Sequence, residues 1–372
     1  MIRAFGAAVL LGLLPLSAPA TGEPGSPPPV LDRAPDPTAS AVVDRTVRDP
    51  DLQESSGLAA SPSRPGILWT HNDSGNSPTL YAVDRDGAVV ARVAVRGVPA
   101  TDWEAIGSWR DERGRGLIAI ADIGDNAAAR PRIEIDVIAE PARLGTSTVT
   151  PLRRIQLRYP DGVSADAEAI LIDPRTSRMY LVTKGLLRSR VFAVPAAVQP
   201  GADAGSVPAQ VVSAVLEPVG AVGVQLVTDG TVLPTGHVLL RTYGSLVLLA
   251  PLDGEVRPLA SVALPAQRQG ESLATDGGSI YLGSEGKASQ ILRMAMPATF
   301  TRAMSPATPA AGPGPAGGPT PAASAAGEGS GAVGDERSLL AGLLRPSLLT
   351  FLGVGGLALG VLILLRRGRR RL

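Results

Sequence analysis

The sequence predicts an all-β fold built from repeated four-stranded units, and three observations carry that prediction. Between Ala41 and Phe300, short runs of Val, Ile, Leu, Tyr and Thr recur, cut by Gly, Pro and Asp turns, which is how strands bounded by turn chemistry read. No long helical period interrupts them. The runs also fall into register with one another, at a spacing of roughly 45 to 65 residues, the mark of an internal repeat.

The units can be laid out in order. Their first strands open at SSGLAAS (Ser55–Ser61), WEAIGSW (Trp103–Trp109), AEAILID (Ala167–Asp173), TDGTVLP (Thr228–Pro234) and GESLATD (Gly270–Asp276). Second strands follow at Ile67–Asp73, Leu117–Asn126, Arg178–Gly185, His237–Gly244 and Ser279–Gly286, and third strands at Thr79–Asp84, Ile133–Glu140, Arg190–Pro195, Ser245–Pro251 and Gln290–Pro297. Fourth strands are expected at Ala88–Val95, Arg153–Tyr159, Gln210–Pro218 and Val256–Leu264. The fifth unit has none of its own, while AVVDRTV (Ala41–Val47) precedes unit one with nothing else to pair with. Five four-stranded units closed by an N-terminal strand describe a β-propeller. Six blades, a β-sandwich, or two smaller β domains are the alternatives.

The ends are of a different kind. Residues 1–20 have one Arg, an apolar core and an Ala18-Pro19-Ala20 end, which reads as a cleavable signal peptide. Residues 21–40 form a Pro-rich lead-in, residues 41–300 the propeller, and residues 301–342 an Ala/Pro/Gly-rich stalk with little to bury. Ser347–Leu365 runs nineteen residues without a charge and is followed by five arginines within residues 366–372. Such a segment is expected to be a transmembrane helix with a cytoplasmic basic tail. The expected protein is therefore a single-pass cell-membrane protein with its N-terminal domain outside.

Charge is best counted by compartment. Setting aside Arg3 and the five tail arginines leaves 29 of the 35 Lys and Arg against 34 Asp and Glu, a net charge of −5 for the exported part. That balance argues against nucleic acid, whose binding rests on clustered cations. Partners are expected to be an extracellular ligand or a component of the cell envelope. With no Cys in the chain, disulfides, thiol chemistry and Cys-ligated zinc are excluded.

In an antiparallel blade the start of the innermost strand lies beside the end of the second, so both open on one face around the channel. At that face the sequence puts Glu104, Glu168, Asp229 and Glu271 at strand starts, with Asp102 and Asp166 two residues before the first two glutamates. Second-strand ends bring Asn72, Asp73, Asp122, Asp125, Lys184, Arg241 and Glu285. Crowded carboxylates need positive charge among them, and a hard cation that takes six to eight oxygens, Ca²⁺ or another divalent ion, supplies it. Metal ligands are therefore expected among Asp102, Glu104, Asp122, Asp125, Asp166, Glu168, Asp229, Glu271 and Glu285. His71, Asn72, Asp73, Lys184 and Arg241 are expected to face a ligand. The alternative for each acid is a strand or turn cap. In DIGDN, Gly124 is expected to adopt a positive φ so that Asp122 and Asp125 both face inward.

The set ESSGLA, WTHNDSG, DWEAI, DIGDN, DAEAI and GES, spread from Glu54 to about Met296, resembles exported bacterial propeller proteins described as WD40-like or β-propeller domain proteins. That resemblance implies a fold and no activity. More distantly, acids at a channel mouth are similar to those of β-propeller phytase-like esterases and gluconolactonase-type lactonases, an analogy of fold. A serine hydrolase is disfavoured: G-x-S-x-G is absent, and the two histidines are His71, able to act as a base, and His237, read as structural. A glycosidase-like carboxylate pair could come from Asp102, Glu104, Glu168 and Glu271, with a tryptophan among Trp69, Trp103 and Trp109 stacking on sugar, although Trp69 lies within a strand and reads as packing. Two functions follow, ligand binding at a cation-ordered acidic face, or a metal-dependent hydrolase of phosphate esters, lactones or esters. Lys184 and Arg241 are the two cations in the aligned positions, too few for a phosphatase, which favours binding.

Overall fold

The computed structural model describes residues 40–200 and 210–305. The expected signal peptide, the membrane span at 347–365, the basic tail, and most of the lead-in and stalk lie outside the described residues. Among the described residues no helix is long and apolar enough to cross a membrane.

In chain order, β1 (Val42–Val47) precedes blade one, which holds β2 (Ser55–Ala60), β3 (Leu68–Asn72), β4 (Thr79–Val83) and β5 (Val89–Val95). Blade two holds β6 (Trp103–Arg110), β7 (Gly116–Asp122), β8 (Ile133–Ala139) and, after an intervening β9 (Thr146–Val149), β10 (Arg153–Arg158). Blade three holds β11 (Ala167–Ile172), β12 (Met179–Thr183), β13 (Ser189–Ala193) and, after β14 (Gln210–Val215), β15 (Glu217–Val222). Blade four is β16 (Val227–Val232), β17 (Val238–Thr242), β18 (Ser245–Leu249) and β19 (Pro258–Ala263). Blade five is β20 (Leu273–Asp276), β21 (Ser279–Leu282) and β22 (Ser289–Ala295), completed by β1.

The chain is thus an all-β propeller of five blades, each built on four antiparallel strands. Closure is as expected: β1 lies antiparallel to β22, with Val47 opposite Ser289. A buried arginine rivets the seam. Arg45 leaves β1, pairs with Asp44, and donates Nη1 to the carbonyls of Gly66, Val83 and Asp84 in blade one, at 3.0, 3.2 and 2.7 Å.

One strand assignment is overturned. Gln210–Val215 does not complete blade three but runs parallel to β10 as a fifth strand of blade two. Glu217–Val222 takes the outer position in blade three instead, against β13. Likewise β9, from the β8–β10 connection, runs parallel to β5 and adds a fifth strand to blade one. In both cases the segment preceding one blade's last strand stitches onto the previous blade.

Packing follows from strand alternation. Successive side chains point to opposite faces, so a middle strand is apolar on both. Among the described residues five apolar clusters form, one between each pair of neighbouring blades and one across the closure seam. Each fully buried Leu or Ile contributes about 1.5–3 kcal/mol. Inner strands crowd the axis and need small residues: a Cβ on Gly57 would come 2.8 Å from the backbone nitrogen of Ile106 in the next blade. After β22, helix α1 (Ala298–Met304) lays Phe300 into the cluster between blades four and five, so residues 301–304, expected as stalk, are helical.

Candidate functional site: the acidic channel mouth

Four innermost strands begin with a register slip against the second strand, between Ser55 and Leu58, Trp103 and Ala105, Ala167 and Ala169, and Val227 and Asp229. A β-bulge turns an extra residue out of the ladder and re-aims its side chain. The bulged residues are Ser56 (with Gly57), Glu104, Glu168 and Thr228. Just before the bulges of blades one, two and three the ladder is bridged by a backbone N–H from the second strand's end, and blade five, whose innermost strand pairs without a slip, carries the same bridge. Asp73 donates to Glu54, Gly124 to Asp102, Lys184 to Asp166, and Glu285 to Gln269, at 2.8 to 3.2 Å. Counting two residues on from each acceptor gives Ser56, Glu104, Glu168 and Glu271, which places Glu271 in blade five on the same footing.

Blade four therefore departs from the expected alignment. Thr228 holds the mouth position, and Asp229 stands one residue deeper. Asp229 is fully buried and accepts hydrogen bonds from the backbone N–H of Leu273 at 2.6 Å and of Gly230 at 2.7 Å. Burial pushes its carboxyl well above the usual range, against those bonds and the nearby Arg241. It joins blades four and five and is not brought to the mouth. Arg241 is likewise a joint: buried, it donates Nη1 to the carbonyls of Ser272 and Gly283 and Nη2 to Gln267 Oε1 at 2.8 Å. Burial lowers its pKa to about 10.

At the mouth itself Asp73, Asp102 and Glu104 come together, one carboxylate oxygen of each lying within 4.8 Å of the others. Gly124 makes room for them. A Cβ there would stand 2.5 Å from Glu104 Oε1 and 2.6 Å from Asp102 Oδ2. Its φ is not positive, so close approach, and not the expected left-handed turn, is what glycine supplies. Ser56 Oγ donates to Glu104 Oε2 at 3.2 Å. Asp102 is pushed up to about 6 by burial, with Asp73 and Asp166 adding and Arg130 opposing. Glu104 is pushed well above its ordinary value by burial, then by Glu168, Asp73 and Asp102.

Around the ring, Lys184 Nζ donates to Glu168 Oε1 at 2.8 Å. Burial works against the ammonium, but Glu168, Tyr243 and Glu271 outweigh it and raise its pKa. Glu168 is pushed up to about 8 by burial, with Asp166 and Glu271 adding and Lys184 opposing. The two shifts pull in opposite senses, and the close Glu168 carboxylate keeps Lys184 charged. Glu285 is pushed up to about 10, by burial first and then by the charge of Glu271 and a hydrogen bond with it; Gln269 Nε2 holds its Oε2 at 2.7 Å. Further along the inner strands the channel narrows to a cavity of about 180 Å³ lined by Leu58, Ile106, Ile170 and Leu273. Ser108, Thr231 and Thr275 also line that cavity, and burial leads each of these shifts because taking a charged group out of water disfavours its charged form.

The remaining expected residues serve as caps. Asp122 accepts from the N–H groups of Thr101 and Asp102 at 3.0 and 3.1 Å and pairs with Arg130 at 2.6 Å. Asp125 accepts from Ala129 and Arg130 N–H at 2.9 and 2.8 Å, and its own N–H donates to Asp166 at 2.7 Å. Burial raises the Asp166 carboxyl. Asn72 accepts from Glu54 N–H at 3.0 Å and donates to the Asp51 carbonyl at 2.6 Å. His71 is fully buried, edge-on to Trp103 at 5.6 Å, with Nδ1 3.0 Å from the Asn72 carbonyl. Burial lowers its pKa to about 4, against the carbonyls of Asn72 and Ala105. His71 packs blade one on blade two. Trp69, Trp103 and Trp109 are buried, which bears out the packing reading of Trp69 and removes the sugar-stacking option for the other two.

Sequence reasoning missed Arg130, Tyr243 and Gln269 at this face. Arg130 also donates Nη1 to the Gly124 carbonyl at 2.7 Å, and Lys184 Nζ lies 5.5 Å from the centre of the Tyr243 ring. The sequence offered one signal, the position of each residue relative to the end of a second strand.

Fold and mouth define a five-bladed propeller with an acidic channel mouth. No protein-family model matches the chain, and no curated protein matches it in sequence. Among solved structures it is similar to a luciferin-regenerating enzyme at 10% identity, over 69% of this chain and 96% of that one, with a TM-score of 0.36. It is similar to a gluconolactonase from Xanthomonas campestris at 14% identity, over 72% and 99%, with a TM-score of 0.34. The third is a nidogen/laminin complex, at 13% identity over 63% and 73%, with a TM-score of 0.36. These likenesses carry no argument about ligand or activity, and none bears on the resemblance to exported WD40-like propellers.

Proposed function

We propose that the chain is a ligand-binding propeller whose mouth takes a divalent cation, Ca²⁺ first, on Asp73, Asp102 and Glu104. The convergence of three carboxylate oxygens within 4.8 Å carries this reading. The donors are hard oxygens, as Ca²⁺ requires, and the Gly124 cradle leaves them room. A cation offsets the burial and the repulsion that together raise Asp102 and Glu104 and leaves coordination positions for an oxygen-rich ligand. The hydrolase reading would have the same cation activate water. Binding is the better supported because Arg241, one of two cations expected at this face, is spent on carbonyls. We also propose that the propeller is exported and tethered outside the cell membrane, on the strength of residues 1–20 and 347–372.

The test is the melting of the full chain with and without Ca²⁺. At a hundredfold excess over Kd a specific cation stabilises by about 2.7 kcal/mol, reversed by EDTA. Glu104→Gln removes a ligand, and Gly124→Ala drives a methyl into Glu104 and Asp102; both should abolish the shift. A wild-type chain indifferent to Ca²⁺, Mg²⁺ and Mn²⁺ overturns the reading.

A further inference from the structure

The outermost strand of each blade leaves one edge without a strand partner among the described residues. Such an edge is a template for another strand, and folded chains blunt it with short strands, charges, proline or bulges. Four of these edges are blunted in that way. In blade one, β9 is four residues long. In blade three, β15 opens on Glu217 and Pro218 and slips register against β13. In blade four, β19 starts at Pro258, slips against β18 and has helix α1 beside it. In blade five, β1 carries Asp44 and Arg45 at its slip against β22.

Blade two is the exception. Its outermost strand, β14, reads QVVSAV, six residues with no charge and no proline, and runs along β10 without a slip. Val212 and Ala214 turn onto the core between blades two and three. Val211, Ser213 and Val215 take the other face and are exposed, the two valines at 53% and 47%. We infer that the chain dimerises by pairing β14 edge to edge with β14 of a second copy.

The strand's own sequence selects a second copy as the occupant. Antiparallel self-pairing about a two-fold axis normal to the sheet keeps each face on its own side. Because side chains alternate, residues of the same parity then stand opposite one another. With Ser213 on the axis, Val211 of one copy faces Val215 of the other, and Val212 faces Ala214. Every apolar residue from Val211 to Val215 thus meets an apolar counterpart, and no charge is brought into the seam. Val163, 51% exposed and sharing a hollow with Val215, extends the apolar surface beside it. A contact resting on one strand from each copy is small, so the dimer should dissociate on dilution. The inference does not rest on the cation reading, since β14 holds none of Asp73, Asp102 and Glu104.

The full chain has no Cys of its own, so a single introduced thiol reports the pairing. Ser213→Cys puts two thiols face to face on the axis, with Cα atoms about 4.5–5.5 Å apart, inside the range a disulfide spans. Under mild oxidation it should run as a covalent dimer on a non-reducing gel. It should form about tenfold or more faster than a dimer of the Thr148→Cys chain, whose thiol sits on the blunted edge of blade one. Light scattering should give the wild-type chain a mass that falls from dimer to monomer on dilution. Ser213→Lys, which opposes two like charges at an exposed position, should be monomeric at every concentration with its melting unimpaired. A Ser213→Cys chain that cross-links no faster than the Thr148→Cys control overturns the inference. So does a wild-type chain that is monomeric throughout, which would leave the edge to a strand of another protein, or a Ser213→Lys chain that dimerises as wild type does.

Discussion

Blades two and four begin their innermost strands with nearly the same chemistry, yet the acids do different work. In blade two the bulge presents Glu104 to the mouth; in blade four it presents Thr228, and the acid falls one residue later. Because side chains alternate with period two, that single step carries Asp229 from the channel to the interface with blade five. Glu104 sits among like charges, whereas Asp229 is wrapped by two backbone N–H donors and lies across the ladder from Arg241. One acid is arranged to receive a cation and the other to join two blades.

Removing the joint should have the largest effect. Asp229→Ala leaves the Leu273 and Gly230 N–H groups unpaired in a dry interface and strips the buried Arg241 of its nearest acid. A buried group left without its partner costs about 1–3 kcal/mol, and two donors plus an uncompensated guanidinium bring the expected loss to about 3–5 kcal/mol. Denaturant unfolding measures it. The Ca²⁺ response of whatever remains folded should be intact. A loss confined to Ca²⁺ binding, with stability unchanged, would put Asp229 back at the mouth.

A second effect separates the two kinds of acid by pH. The Glu285 carboxyl is raised from an ordinary 4.5 to about 10, so between those values the folded chain holds a proton that the unfolded chain has lost. That contribution to stability is complete below about pH 4.5 and is lost as pH rises toward 10. One unshared proton gives ~1.4 kcal/mol per pH unit, and sharing with Glu271 reduces it. Without divalent cations, the melting temperature should fall from pH 5 to pH 9, and Glu285→Gln should flatten that fall. An equal slope in both chains would place the proton elsewhere.

The strands and the closing role of Ala41–Val47 were legible because each is a short apolar run between turn residues. What was not legible is pairing. QVVSAV reads as the last strand of blade three, and nothing local distinguishes it from EPVGAV, which takes that place. The choice is made by the exposed edge of β10, a tertiary feature. Nor does alternation reveal which face is covered. IEIDVIA suggests acids toward solvent, but Glu134 and Asp136 are buried and paired with Arg154. At the mouth, acids could be collected by position, yet a bulge is invisible in one strand alone. That is why Asp229 was grouped with Glu104, and why His71, Asn72 and Arg241 were read as facing a ligand when they tie loops and blades together.

The smallest effect tests the bulge alignment directly. If Thr228 is the blade-four counterpart of Ser56, the two hydroxyls should serve the same purpose, and their bonds agree. Ser56 Oγ shares its one proton between the Glu104 carbonyl at 3.1 Å and Oε2 at 3.2 Å, and Thr228 Oγ1 donates to the Glu271 carbonyl at 2.9 Å. Each hydroxyl thus reaches the main chain of the glutamate two residues after the bridge in the next blade. Thr228→Val keeps shape and branching while deleting the donor, so it should cost about 1 kcal/mol. Ser56→Ala should cost a similar amount and also free Glu104 Oε2 from its one hydroxyl partner. The two variants therefore part company over Ca²⁺: Thr228→Val should leave the melting shift as it was, while Ser56→Ala should change its size. If Thr228→Val alters the Ca²⁺ shift as much as Ser56→Ala does, blade four contributes to the cation site, and the one-residue distinction between Thr228 and Asp229 fails.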